Sequence, residues 1–177
     1  MKNLIAGAIA FLVTITAGVA FAATPAQLAE INKPVEQVFE APGFTRAQIY
    51  DSAKVWIAEN FRSAKAVMEY ENKDEGTLIG NGLIPYPCKS AFECLGKPDW
   101  KVRFTMKVET KDEKFRLTFS NIGLVWPAAV HNGVVSRAND GSPLNSQKDR
   151  EKISAALVAF GPQIQATLGK AKADDNW

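Results

Sequence analysis

The residue of this chain that could most readily act in catalysis is its single histidine, His131. A Ser-His-Asp or Cys-His site would have to use this imidazole as its base, because the chain holds no other. The nucleophile motif Gly-x-Ser-x-Gly does not occur, and a lone histidine in a loop is more often a surface residue. We therefore expect no catalytic residue, and a hydrolase that uses His131 is the third and weakest functional hypothesis.

The two cysteines, Cys88 and Cys94, enclose the short loop Cys-Lys-Ser-Ala-Phe-Glu-Cys. In an oxidising compartment such a pair usually forms a disulfide. Closing so short a loop contributes roughly 2 kcal/mol in the chain-entropy model, so the bond would fix the loop locally. Redox chemistry is disfavoured because the spacing is not Cys-x-x-Cys. With the cysteines paired and one histidine left, the sequence offers no spaced set of metal ligands, and we expect neither a metal nor a cofactor.

Basic side chains lie at alternate positions on two consecutive predicted strands. The alternation places five of them on one surface: Lys101, Arg103, Lys107, Lys114 and Arg116. Such a surface could bind anionic lipid, lipopolysaccharide, glycan or an acidic protein. The favoured interpretation is a charged sheet face in contact with water, since Glu109 and the acidic turn that follows would partly neutralise it. Nucleic acid is not expected, because the aromatic residues of these strands point inward.

Aromatic residues supply the other candidate site. Most of them are expected to form ordinary core, but a sheet wrapped round helices can also hold a small apolar ligand. The residues that would line such a groove or its lid are Trp56, Phe119, Trp126 and His131.

The elements that must position these residues follow from hydrophobic periodicity. A strand over Val35–Glu40 precedes a helix over Arg46–Arg62, and Thr45 with Gln48 forms a capping box at its start. Four antiparallel strands follow, of which Trp100–Glu109 and the strand from Phe115 to Ser120 form the clearest hairpin. Regular structure is expected to stop after Ser120. The segment Asn121–Pro143 is expected to be irregular. A last helix, capped by Ser146 and split near Gly161-Pro162, follows it, and the tail from about Lys170 is expected to be loose. Together these elements predict an α+β fold.

The N-terminal residues 1–22 are typical of a secretory signal. Lys2 is followed by an apolar run that ends in Ala20-Phe21-Ala22, and no further charge occurs before Glu30. Residues 23–177 would then be one exported domain that does not span the membrane, in the periplasm or secreted. Removing Lys2 leaves 20 basic and 19 acidic side chains, so net charge does not favour nucleic acid or a membrane surface as a partner.

Three short segments carry a resemblance to a known family. They are Phe39-Glu40-Ala41-Pro42-Gly43-Phe44-Thr45, Trp56-Ile57-Ala58-Glu59-Asn60-Phe61 and Ile79-Gly80-Asn81-Gly82. Together with the hairpin that follows, they resemble a family of exported bacterial domains of unknown function whose fold is like that of the TATA-box-binding protein. The resemblance implies a fold and no catalytic residue, and the fold's name implies nothing about DNA in an exported protein. The loop between the cysteines and the segment 121–143 are departures from the family pattern.

Two further hypotheses remain from the sequence. The leading one is a non-enzymatic periplasmic module that binds an unknown protein or a small apolar ligand through the groove and the segment 121–143. The alternative is an envelope-surface protein that binds anionic glycan or lipid through the basic sheet face. A loss of binding at high ionic strength would distinguish the second from the first.

Overall fold

Residues 23–61, 67–131 and 134–174 are described by the structure, a computed structural model of the chain. The helices in chain order are α1 (Pro25–Ile31), α2 (Arg46–Asn60), α3 (Ala91–Leu95), α4 (Gln147–Val158) and α5 (Phe160–Asp174). The strands are β1 (Val35–Glu40), β2 (Val67–Asn72), β3 (Thr77–Pro85), β4 (Lys101–Lys111), β5 (Lys114–Trp126), β6 (Ala129–His131), β7 (Val134–Ser136) and β8 (Asn139–Pro143). The predicted signal segment 1–22 lies outside the described residues.

The main sheet is antiparallel, with the strand order β1-β5-β4-β3-β2. The first half of β5 pairs with β1, where Phe39 is opposite Phe115, and its last four residues pair with β8. Strands β6 and β7 form a separate two-stranded hairpin. The predicted α+β class and its order of strand, helix, four strands and helix are confirmed, with α1, α3 and β6–β8 as additions.

One face of the sheet is covered by α2, α4 and α5. Strand β4 alternates strictly, and Val102, Phe104, Met106 and Val108 are buried as the sequence predicts. Phe160, at the start of α5, lies 5.0 Å from the ring of Trp56 and closes the core above β4 and β5. The other face of the sheet carries the charged and polar side chains.

The predicted start of α2 is confirmed in detail. The backbone N–H of Gln48 donates to Thr45 Oγ1 at 3.4 Å, and the N–H of Thr45 donates to Gln48 Oε1 at 2.9 Å. The last helix is split as predicted, with Ala159 between α4 and α5. Helix α5 continues to Asp174, beyond the point where a loose tail was expected.

The expectation that regular structure stops after Ser120 is wrong. Asn121 adopts φ of 51° and takes up an irregularity in the β4–β5 register, and the strand then continues to Trp126. The sequence Asn-Asp-Gly-Ser-Pro of β8 has poor strand propensity, and it is extended because the free edge of β5 supplies hydrogen-bonding partners. A tertiary partner therefore overrides local preference in this segment.

Candidate functional site

Three strand ends and one helix start meet at one end of the molecule. The register places Pro85, the last residue of β3, beside Lys101, the first residue of β4, which in turn is opposite Val125 of β5. The chain between β3 and β4 forms a long connection with α3 at its centre. We call this region, formed by residues 86–100, Trp126 and the first two turns of α4, the disulfide end.

The predicted pairing of Cys88 with Cys94 is confirmed. The two Cα atoms lie 5.6 Å apart, and the bond links the residues before α3 to the helix itself. The Ser90 hydroxyl accepts the backbone N–H of Glu93 at 3.2 Å and caps α3 at its first turn. A five-residue helix is unstable alone, so the disulfide and the cap contribute to holding it.

A buried lysine links the chain between β3 and β4 to α4. The side chain of Lys152 is only 3% exposed. Its Nζ donates to the Tyr86 hydroxyl at 2.7 Å, donates to Glu93 Oε1, and lies 3.7 Å from Asp149 Oδ1. Tyr86, also buried, donates its own O–H to Asp149 Oδ1 at 2.5 Å. These four residues, the Lys152 cluster, join α3 and the connection to the start of α4.

The electrostatics of the cluster favour its charged form. Burial by itself opposes a charge on Lys152, but the hydrogen bonds to Glu93 and Tyr86 outweigh it and raise the pKa of the lysine. In return, hydrogen bonds from Lys152 and from the backbone N–H of Lys89 lower the pKa of Glu93 to about 2. The ammonium and this carboxylate are therefore both ionised across the physiological pH range.

Aromatic rings pack beside the Lys152 cluster. Trp100 stacks on Trp126 with ring centroids 4.5 Å apart, and it packs edge-to-face with Tyr86 with ring centroids 6.0 Å apart. The ammonium of Lys97 lies 4.1 Å from the Tyr86 ring centroid and 4.6 Å from that of Trp100. The indole N–H of Trp126 donates to the carbonyl of Arg137 at 3.2 Å, which ties the chain after β7 to the same stack.

The surface of α3 carries two large apolar side chains in water. Phe92 is 86% exposed and Leu95 is 76% exposed. Three residues apart in a helix, they lie on the same face. They are held there by the disulfide and, through their neighbour Glu93, by the Lys152 cluster.

Of the four residues predicted to line a groove, the structure places Trp56 and Phe119 in the core and Trp126 elsewhere. Trp56 and Phe119 are 3% and 0% exposed, and both contact the ring of Phe160 in the core. Trp126 instead lies at the disulfide end, stacked on Trp100. For His131 the structure describes the backbone, in β6, and the side chain lies outside the described residues. Among the described residues, Trp56 and Phe119 are therefore part of the hydrophobic core.

The predicted basic face is broken up by pairing. Glu109 Oε1 accepts from Lys107 at 2.9 Å and Glu109 Oε2 from Arg116 at 2.6 Å, and these contacts lower the pKa of Glu109. Arg103 lies against Gly141 of β8. Lys101 and Lys114 are exposed at opposite ends of the β4–β5 hairpin, about 30 Å apart along the strands. The five residues share a face, as predicted, but do not form one continuous cationic surface.

Sequence reasoning missed the Lys152 cluster. The signal that could have found it is the spacing of Asp149, Lys152 and Ile153, which places two charged side chains on the buried side of α4 beside a core position. Charged residues on a helix usually face water. Among the described residues, no group of three or more His, Cys, Asp or Glu side chains could hold a metal ion. No helix in the described ranges has both the length and the apolar character needed to cross a membrane.

Comparison with known proteins places the fold. Residues 36–124, half of the 177-residue chain, match a family described as a domain of unknown function (DUF4468) with TBP-like fold. No curated protein matches the chain by sequence.

Two solved structures are similar to this chain. The crystal structure of a DUF4468 family protein from Bacteroides ovatus has a TM-score of 0.50 and 17% identity, covering 80% of this chain and 86% of that one. A TBP-like protein from Parabacteroides distasonis has a TM-score of 0.49 and 14% identity, covering 78% and 90% respectively. At such identities the first likeness shows the fold alone. The resemblance seen in the sequence is confirmed by the family match, and the chain belongs to the DUF4468 family of domains with a TBP-like fold.

Proposed function

We propose that this protein is a non-enzymatic binding module of the cell envelope that contacts its partner through the disulfide end. The observation that carries the proposal is the exposure of Phe92 and Leu95 on a helix whose position is fixed. Burying two such side chains against a partner would be worth about 1.5–3 kcal/mol each at full burial. A surface that is already ordered loses little conformational entropy when it binds.

The state of the reactive groups at this end supports a binding role over an enzymatic one. The Tyr86 hydroxyl already donates to Asp149 and accepts from Lys152, and both Tyr86 and Lys152 are buried. A general acid or base must reach a substrate proton within hydrogen-bond distance. These groups are engaged with one another, which suits an anchor for α3.

Export is part of the proposal. The charged start, apolar run and small residues of 1–22 are typical of a cleaved signal, and disulfides persist mainly in oxidising compartments. The Cys88–Cys94 bond agrees with a periplasmic or secreted location.

The test is envelope association of the full chain expressed with its own N-terminal segment in a Gram-negative host. Cells are fractionated into envelope and soluble material, and the wild-type chain is compared with Phe92→Ser/Leu95→Ser. The matched control is Val38→Ser/Val55→Ser, which removes two exposed apolar side chains from β1 and α2. We expect the wild type and the control to sediment with the envelope and the first variant to remain soluble. Equal distribution of all three would overturn the proposal.

A further inference from the structure

We infer that the partner of the disulfide end is the anionic surface of a lipid bilayer. This inference rests on the proposed function and names the partner for the same surface. Phe92 and Leu95 would enter the interfacial region of the bilayer, and the lysines around α3 would lie among the phosphate headgroups. The contact is peripheral, since it uses a helix of five residues.

The size of the apolar surface favours lipid over a folded protein. A stable protein interface usually buries about 800 Å² on each partner, and α3 offers two large apolar side chains on a single short helix. A protein partner would also need a pocket shaped to receive them. A fluid bilayer needs no such shape match, and apolar residues with flanking lysines are a common interfacial pattern.

The charges around α3 complement an anionic surface. Lys89 comes directly before the capping residue of α3, Lys97 follows the helix, and Lys101 begins β4. Lys148, in the first turn of α4, is close enough to lower the pKa of Glu93 through its charge. Residues 86–101 contain three of these lysines and two acidic residues, Glu93 and Asp99. Glu93 is paired with Lys152, so it opposes an anionic surface less than a free carboxylate would.

The orientation of α3 is set before binding. The disulfide fixes its C-terminal turn to Cys88, and the partly exposed Glu93 is hydrogen-bonded to Lys152. Phe92 and Leu95 are left exposed, so the helix presents its apolar side chains without rearrangement. Attraction to anionic lipid falls off within a Debye length, so added salt should weaken the interaction.

The test uses the purified full chain with vesicles of phosphatidylcholine alone and of an equimolar mixture with phosphatidylglycerol, read by flotation. We expect binding to the mixed vesicles, at least about 10-fold weaker binding to phosphatidylcholine alone, and loss of binding in high salt. Phe92→Ser/Leu95→Ser should lower the partition coefficient for mixed vesicles by at least about 10-fold. Val38→Ser/Val55→Ser should leave it unchanged. The near-ultraviolet circular dichroism of each variant shows whether its fold is intact.

A charge variant separates the two parts of the inference. Lys89→Gln/Lys148→Gln should reduce the preference for mixed vesicles, whereas Lys107→Gln, on the paired sheet face, should not. Quenching of the wild-type tryptophans by brominated lipid gives a second reading without a substitution, because Trp100 and Trp126 both lie at this end.

The outcomes distinguish the lipid from other partners. One outcome is that the wild type binds neither kind of vesicle while its sedimentation with the envelope still depends on Phe92 and Leu95. In that case the partner is a protein or glycan, and the lipid inference is wrong. Equal binding to both kinds of vesicle also overturns the anionic assignment. If sedimentation does not depend on those two residues, the proposed function itself fails.

Discussion

Lys152 shows how one side chain connects the fold to the candidate site. It is buried, yet it is satisfied by a hydroxyl and two carboxylates that come from the connection after β3 and from α4. An ammonium ion in this position is stable only while these partners remain, because a buried charge without a partner is costly. The geometry of α3 and the stability of the C-terminal helices are therefore coupled through this residue.

Replacing Lys152 by methionine should destabilise the protein. The change keeps an unbranched side chain, one atom shorter, but leaves Glu93, Asp149 and Tyr86 without their ammonium partner. We expect the free energy of unfolding to fall by about 2–4 kcal/mol, somewhat less than for a fully buried pair because the carboxylates partly reach water. Urea denaturation of the full chain measures it. Lys107→Met, which breaks a half-exposed pair with Glu109, is the control and should cost no more than about 1 kcal/mol.

The stability of the cluster should depend on pH through Glu93. Its pKa in the folded state is lowered to about 2 from an ordinary 4.5. Since the folded state binds this proton more weakly than the unfolded state, the carboxylate contributes its full stability above about pH 4.5, and this contribution is lost as the pH falls toward about 2.

The urea midpoint of the wild type should therefore decrease more between about pH 6 and about pH 3 than that of Glu93→Gln. Lys152, Lys148 and the Lys89 backbone are the groups that act on this carboxylate. Parallel declines in the two proteins would show that Glu93 is not held as described.

At the scale of single residues, the Cys88–Cys94 disulfide could be predicted from the sequence, whereas the burial of Lys152 could not. Cys88 and Cys94 could be paired because two cysteines in an exported chain have few alternatives. Lys152 could not be placed, since a helical lysine beside a core position usually extends to water. Its burial follows from Tyr86 and Glu93, which lie more than fifty positions earlier in the chain.

At the scale of elements, predictability followed the regularity of the hydrophobic pattern. The β4–β5 hairpin was predictable because inward and outward residues alternate without exception from Val102 to Val108. The continuation of β5 was not, because Asn121 interrupts the period with a positive φ. Helix α3 was also missed, since five residues are too few to show a helical period and are held by the disulfide.

Gly82 provides a test of how β3 meets β4. It is directly opposite Phe104, whose ring folds over it, and a Cβ at this position would lie 2.3 Å from Phe104 Cζ. Phe104 also contacts Phe61, Phe119 and Phe160, so its ring has little room to move. We expect Gly82→Ala to destabilise the protein by about 1–3 kcal/mol through overpacking.

The same substitution at Gly169 of α5 is the matched control. A Cβ there meets nothing within 4 Å, and alanine favours the helix over glycine by up to about 1 kcal/mol. Thermal unfolding should show a lower midpoint for Gly82→Ala and an unchanged or higher one for Gly169→Ala. A shift of the same sign in both variants would contradict this description of the sheet.

At the scale of the whole molecule, core, sheet face and disulfide end have separate roles. The core around Phe160 includes Trp56 and Phe119, two of the residues that the sequence offered as a groove, and the sheet face neutralises much of its own charge through Glu109. The disulfide end combines the exposed apolar side chains of Phe92 and Leu95 with a helix that the disulfide ties to the preceding chain. The family match supports the fold, and a role for the disulfide end has to be argued from its own residues.

The most direct test of the central claim is photo-cross-linking in intact cells. A benzophenone amino acid replaces Phe92 in one chain and Val55, an exposed residue of α2, in another. The account predicts phospholipid adducts from position 92 and none above background from position 55. No phospholipid adduct from position 92, or equal adducts from both positions, would contradict the claim that the disulfide end binds the lipid surface.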